Sequence, residues 1–151
     1  MRLYFLRHGE ARPPDWEGPD DQRPLTRAGR KEVQEVAKFL RRLKANVNVI
    51  LTSPLPRATQ TADIAAKQFK VRVREEKLLA PGFRAEDLTR ILRKYPEQIL
   101  LLVGHEPDFS EVIAAVSGGE VKISKAGVAL VELHGKKGQL LWLFPPRLAK
   151  K

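Results

Sequence analysis

The chain has no cysteine and a single methionine. Disulfides, thiol catalysis and thiolate metal sites are therefore excluded, and the composition suits a reducing cytoplasm, the compartment expected for it. Long apolar runs are missing as well. None approaches the ~18 residues that a membrane-crossing helix needs. The short apolar start is broken at Arg7-His8, so it does not read as a secretory leader. Histidine is scarce: His8, His105 and His134 stand apart, and neither His8 nor His105 has a second histidine at close helical spacing. A metal site needs a cluster of ligands, so neither a metal nor another cofactor is expected. Acidic charge is in deficit: 18 Asp and Glu face 28 Lys and Arg, for a formal net charge of +10. Such a chain attracts anions at long range. Nucleic acid, phosphorylated substrates and acidic proteins are the partner classes this raises. The basic residues are dispersed, apart from the tail Arg147-Leu148-Ala149-Lys150-Lys151. Neither a nucleic-acid motif nor interleaved aromatics accompanies them, which argues against nucleic acid.

What is present is an alternation of strand and helix signals. A length of 151 residues suits one domain, 1–151, with a real core. Residues 2–6 read as a strand, and 11–24, with four prolines, as a loop. Thr26 is placed to cap a helix running to about Leu43, with Val33, Val36, Ala37, Leu40 and Leu43 on its buried face. A strand at 47–51 follows. Pro54 or Pro56 then opens a helix in which Ala58, Ala62, Ala65 and Phe69 share a face. Residues 71–74 suggest a third strand, 85–94 a short helix and 98–103 the most apolar strand. A helix over 109–116, with Asp108 as its cap, ends at Gly118-Gly119. Residues 127–134 and 139–144 form a hairpin through Gly135-Lys136-Lys137-Gly138. This order predicts a three-layer α/β/α sandwich with a mostly parallel central sheet and a C-terminal antiparallel hairpin.

Three of the strand candidates end in a break followed by Arg or His. Leu3-Tyr4-Phe5-Leu6 runs into Arg7-His8-Gly9, Val49-Ile50-Leu51 into Thr52-Ser53-Pro54-Leu55-Pro56-Arg57, and Leu100-Leu101-Leu102-Val103 into Gly104-His105-Glu106-Pro107. Singly, each has an ordinary reading as a surface pair or a structural histidine at a strand end. In open α/β sheets, however, ligands bind beyond the carboxyl ends of the strands. If the three ends share one edge, Arg7, His8, Arg57 and His105 converge. Two guanidiniums offer planar forks matched to phosphate oxygens, and histidines add donors. Phosphoryl transfer depends on positioning and positive charge. Neighbouring cations lower a histidine pKa and favour the neutral form that can attack phosphorus. His8 would then carry a phosphohistidine that water discharges. Ser53 has no base nearby in sequence; it reads as a cap for the helix carrying Arg57, or as a backbone donor. His134, beside the hairpin turn, reads as surface.

These residues resemble the histidine phosphatase superfamily, also called the phosphoglycerate mutase-like family. The similarity rests on Leu6-Arg7-His8-Gly9-Glu10-Ala11, on Thr52-Ser53-Pro54-Leu55-Pro56-Arg57-Ala58-Thr59-Gln60-Thr61-Ala62 and on Val103-Gly104-His105-Glu106-Pro107. Arg23-Pro24-Leu25-Thr26-Arg27-Ala28-Gly29 resembles that family's loop-to-helix segment. The resemblance implies that His8 accepts the phosphoryl group, and that Arg7, Arg57 and His105 bind it. Within the family the chain looks most like the short SixA branch, the phosphohistidine phosphatases. Larger members carry a long insertion after the third strand; here about 24 residues separate Val73 from Gln98. A less covered pocket would admit a protein-borne phosphate, whereas small-molecule sites bury most of their ligand.

Two departures bear on the substrate. Mutase-like members carry Ser or Thr and then Asn after the tripeptide, where this chain has Ala11 and Pro14. Their acid/base Glu follows the third strand, where Leu78-Leu79-Ala80 places alanine. An alkoxide leaves poorly without an acid; imidazole, whose free ring has a pKa of about 6.5, leaves far better. Missing acid therefore suits phosphohistidine. Glu10, Asp21, Glu106 and Asp108 remain as substitute acids. The expected activity is that of a metal-independent phosphohistidine phosphatase, acting on a phosphorylated protein such as a histidine phosphotransfer domain. A small-molecule phosphomonoesterase of the same superfamily is the alternative, and a basic nucleic-acid- or acidic-partner-binding protein a remote one.

Overall fold

The computed structural model describes residues 1–150. Six strands form one mixed sheet: β1 (Arg2–Arg7), β2 (Val49–Thr52), β3 (Val73–Glu75), β4 (Ile99–Gly104), β5 (Val128–His134) and β6 (Lys137–Phe144). Their order is β3-β2-β4-β1-β5-β6. The first four of these neighbours run parallel, while β5 pairs antiparallel with both β1 and β6. Four helices, α1 (Arg27–Arg42), α2 (Pro56–Phe69), α3 (Ala85–Lys94) and α4 (Asp108–Ser117), complete an α/β/α sandwich.

The alternation of β1 builds both outer layers. Tyr4 and Leu6 face a core shared with Val33, Val36, Ala37 and Leu40 of α1 and with Ala58, Ala62 and Ala65 of α2. Leu3 and Phe5 face the opposite core, which holds Leu88 and Ile91 of α3 and Phe109, Val112 and Ile113 of α4. Strands covered on both faces read as continuous apolar runs, which is why β4 is Ile-Leu-Leu-Leu-Val. Phe109 packs edge-on against Phe5, with ring centroids 5.1 Å apart.

The helix signals hold. Thr26 caps α1: its hydroxyl accepts from Gly29 N at 2.9 Å, a contact worth about 1 kcal/mol. Pro56 opens α2. Gly118 ends α4 at φ +77°. Several boundaries differ from the sequence expectation. Leu43, expected on the buried face of α1, is 50% exposed, because the helix stops at Arg42 and the chain reverses through Lys44 and Asn46 at positive φ. That reversal also delays β2 to Val49. Lys70, another left-handed residue, delays β3 to Val73. The hairpin turn is the two residues Gly135-Lys136, since β6 already begins at Lys137. Asp108 is not a cap: Pro107 holds the N-cap position of α4, and the Asp108 carboxylate accepts instead from Gly82 N at 2.9 Å.

Candidate active site

Register places the functional side chains. Arg7 pairs with Gly104 across β1 and β4, and Thr52 with Val103 across β2 and β4. The three strands are parallel and stop within one residue of each other, so the next residue of each, His8, Ser53 and His105, emerges at one edge. Backbone bonds continue the pairing past the strands: His8 N donates to Gly104 O at 3.1 Å and Ser53 N to Val103 O at 3.0 Å. Arg57 arrives from the first turn of α2. Arg7, His8, Arg57 and His105 thus line one pocket of about 450 Å³, as their sequence positions suggested. His134 does not join them; it is exposed and pairs with Glu132 at 3.0 Å.

The two histidines lie with ring centroids 5.2 Å apart. His8 Nδ1 is 2.8 Å from the carbonyl oxygen of Gly9. A carbonyl can only accept, so Nδ1 carries the proton and Nε2 keeps its lone pair. Burial lowers the His8 pKa to about 4, and the guanidiniums of Arg57, Arg7 and Arg23 push the same way against the Gly9 bond. Burial, then His8, Arg57 and Arg7, lowers His105 to about 3. Both rings are neutral at pH 7. His105 Nε2 lies 2.7 Å from Ser53 Oγ.

The donors around His8 are not used up by the protein. Arg7 Nη1 donates to Ile123 O at 3.0 Å, but Arg7 Nε, Arg57 Nε, Arg57 Nη1 and His105 Nδ1 are buried without a partner. These are four of the five such side-chain atoms among the described residues. Unpaired buried polar groups are costly, and the concentration of guanidinium nitrogens among them beside a bare imidazole nitrogen marks a place built to receive a multiply charged oxyanion. Burial lowers the pKa of both arginines; Arg23 adds to it at Arg57, while Glu106 opposes it at Arg7 and Asp20 and Asp21 oppose it at Arg57.

Other residues hold this arrangement. Gly9 N donates to Thr61 Oγ1 at 3.1 Å, and Thr61 in turn donates to Arg57 O at 2.8 Å. One hydroxyl thus ties the His8 loop to the turn that carries Arg57. A Cβ on Gly9 would come within 2.7 Å of Val33, so only glycine lets α1 approach the loop. Glu106 braces the opposite wall. Its carboxylate accepts from Ser110 N, Ser110 Oγ and, at 3.2 Å, from Ile123 N, which fixes the carbonyl that Arg7 grips.

The four substitute acids separate. Glu10 accepts from the Thr26 hydroxyl at 2.6 Å, outside the pocket. Asp21 lies in a short 3-10 turn, Asp20–Gln22, and does not line it either. Glu106 and Asp108 do. Both Glu106 oxygens are taken by protein donors; Asp108 has one bonded to Gly82 N. Between β3 and β4 only Pro81 is among the lining residues, and Ala80 just before it offers no acid. Arg23 and Lys125 also line the pocket. Sequence reasoning missed both, because they come from irregular segments whose path no periodicity reveals. It also missed the Ser53–His105 bond, which joins residues 52 positions apart.

Known proteins share this fold. Residues 3–98 match the histidine phosphatase superfamily (branch 1). An uncharacterized protein of Picosynechococcus sp. is 37% identical, over 96% of this chain and 100% of its own. The structure of the protein histidine phosphatase SixA complexed with tungstate matches with a TM-score of 0.89 at 25% identity, over 99% of this chain and 100% of that one. A mycobacterial glucosyl-3-phosphoglycerate phosphatase with VO3 shares the fold, with a TM-score of 0.74 at 19% identity over 93% and 97% of the two chains. The family match spans well over half of the sequence, and the chain belongs to the histidine phosphatase superfamily, branch 1.

Proposed function

We propose that this chain removes phosphate from phosphohistidine on a protein, through a phosphoenzyme formed at His8 Nε2. Membership of the superfamily makes it a phosphatase; the substrate and the residue roles are our reading. The observation that carries it is the bond from His8 Nδ1 to Gly9 O. It leaves a bare Nε2 beside three unpaired buried guanidinium nitrogens and the unpaired Nδ1 of His105. Arg7, Arg57 and His105 would bind the three equatorial oxygens and stabilise the charge that spreads over them during transfer.

The proton balance fits a substrate that leaves as imidazole. The lone pair of Nε2 attacks phosphorus, and the bond from phosphorus to the substrate nitrogen breaks. A phosphohistidine protonated on its other ring nitrogen departs as neutral imidazole, so no enzyme carboxylate has to supply a proton. Water then attacks phosphorus, the bond to Nε2 breaks, phosphate leaves, and the proton released goes to solvent. The His8 proton stays on Nδ1, donated to Gly9 O, throughout. An alkyl ester would need an acid that Ala80 does not provide. The SixA match and the single residue, Pro81, that the β3–β4 segment puts over the pocket support a protein-borne substrate.

The test is a paired assay. The purified protein should hydrolyse a phosphohistidine protein faster than any of a panel of sugar and nucleotide monophosphates, with or without EDTA. An acid-labile phosphoenzyme should be trapped on the wild type only, not on His8→Ala. Efficient hydrolysis of metabolite esters with phosphohistidine left untouched would overturn the substrate; strong inhibition by EDTA would overturn metal independence.

A further inference from the structure

Ser53 is fully buried, and nothing in the reaction as described uses its hydroxyl. That hydroxyl has one proton and two lone pairs. Leu55 N donates into one lone pair at 3.3 Å, and His105 Nε2 lies at 2.7 Å. Among the described residues no other hydrogen bond reaches Ser53 Oγ.

Two proton arrangements fit the short contact. In the first, His105 Nε2–H donates to Ser53 Oγ. The hydroxyl proton then has no acceptor, and His105 Nδ1 is a buried lone pair in a pocket meant for an anion. In the second, the hydroxyl donates to a bare Nε2, and the single proton of the ring sits on Nδ1. Nδ1 is the ring atom that has no protein partner. Only the second arrangement gives every proton an acceptor once an oxyanion is bound, and buried donors and acceptors are rarely left unpaired.

We infer that Ser53 is a positioning residue for His105: its hydroxyl donates to Nε2 and so keeps the ring proton on Nδ1, where a phosphoryl oxygen receives it. The arrangement matters because the ring stays neutral. Burial, His8 and both arginines keep His105 from gaining a second proton at neutral pH. A doubly protonated ring would donate from either nitrogen, but a neutral one donates from one only, and the serine decides which. The two histidines are thereby complementary. The Gly9 carbonyl forces the His8 proton away from the reacting nitrogen, whereas Ser53 forces the His105 proton toward the ligand. The inference rests on the phosphoryl-transfer reading of the pocket.

The ring proton can be located directly. Two-dimensional proton–nitrogen spectra of ring-labelled wild-type protein, with and without tungstate as the phosphate analogue, should show His105 neutral with its proton on Nδ1. A neutral ring protonated on Nε2 in the tungstate complex overturns the inference, without recourse to any variant. Ser53→Ala should move the proton partly or wholly to Nε2, and weaken tungstate binding about tenfold, the scale of one lost hydrogen bond to a charged ligand. An Nδ1 proton unchanged in Ser53→Ala also overturns it. Loss of the phosphoenzyme in His8→Ala stands or falls separately: if that variant still turns over, the phosphohistidine mechanism fails, while the His105 spectrum reports on Ser53 alone.

Discussion

The two halves of the sheet contribute different chemistry to one pocket. The parallel strands β1, β4 and β2 are almost wholly buried, and their carboxyl ends deliver side chains: Arg7, His8, Ser53 and His105. The antiparallel half, with the segment that leads into it, delivers mainly backbone, and Lys125 is the residue it adds to the pocket lining. Arg7 N donates to Gly127 O and Ala126 N to His8 O, both at 3.1 Å, while Ile123 O holds the Arg7 guanidinium. Its edge strand β6 alternates between exposed and covered residues down to the buried Phe144, the pattern of a strand with one face in solvent. The contrast teaches that aligned strand ends gather polar side chains at one edge, and that the flanking antiparallel segment holds them mainly through its backbone. Substitutions in the two halves should therefore separate catalysis from stability.

The largest effect should come from His8→Ala. Removing a nucleophile costs on the order of 10⁴-fold or more in kcat, and steady-state assay with phosphoenzyme trapping would detect it. Near-normal turnover would end the claim that the parallel half carries the chemistry. Arg57→Ala should follow, with a loss of about 3–4 kcal/mol in transition-state stabilisation, the scale of one lost oxyanion donor. Its readout is kcat/KM on the same substrate; a loss below tenfold would mean that Arg7 and His105 suffice.

Acid should reveal the cost of holding His8 neutral. In the unfolded chain a histidine takes its proton near 6.5, and in this fold only near 4. Between those values the unfolded state binds more protons, so stability rises with pH across the window and is lost as pH falls from 6.5 to about 4. The contribution is on the order of 3 kcal/mol. His8→Ala should remove it. Urea unfolding of both proteins at pH 7 and pH 4 gives the difference, and equal acid sensitivity would refute the buried neutral ring.

The sequence revealed the side-chain-bearing half better than the aiming half. Apolar runs that stop at Arg-His-Gly, Ser-Pro and Gly-His announce strand ends, so the convergence of Arg7, His8, Arg57 and His105 is legible in the sequence. Helix α3 is legible as well, since the Ala80-Pro81-Gly82 break sets off the segment 85–94 that forms it. What stayed hidden was relational. Lys125 lies between Ser124 and Ala126, the latter at φ +60°, in a segment with neither helical nor strand periodicity. Glu106 reads in sequence as a substitute acid, because its partner Ile123 is 17 residues on. Asp108 looked like a cap because it stands at a helix start, and only the fold shows Gly82 beside it.

Two glycines, one from each half, sharpen the comparison at the smallest scale. Gly9 sits in the His8 loop with ordinary φ, and an added methyl would strike Val33 at 2.7 Å. Gly9→Ala should therefore cost about 1–3 kcal/mol of stability by overpacking. It should also lower turnover, since the Gly9 carbonyl sets the His8 proton. Gly135 is in the hairpin turn at φ +64°, and nothing lies within 4 Å of its missing Cβ. There the penalty is purely one of backbone conformation, about 1 kcal/mol for placing alanine in the left-handed region. Gly135→Ala should lower the unfolding free energy by that amount and leave kcat and KM unchanged, because β6 reaches the pocket through no side chain. Chemical unfolding and steady-state kinetics on the two variants would check both arms. A drop in kcat for Gly135→Ala would show that the antiparallel half does more than aim.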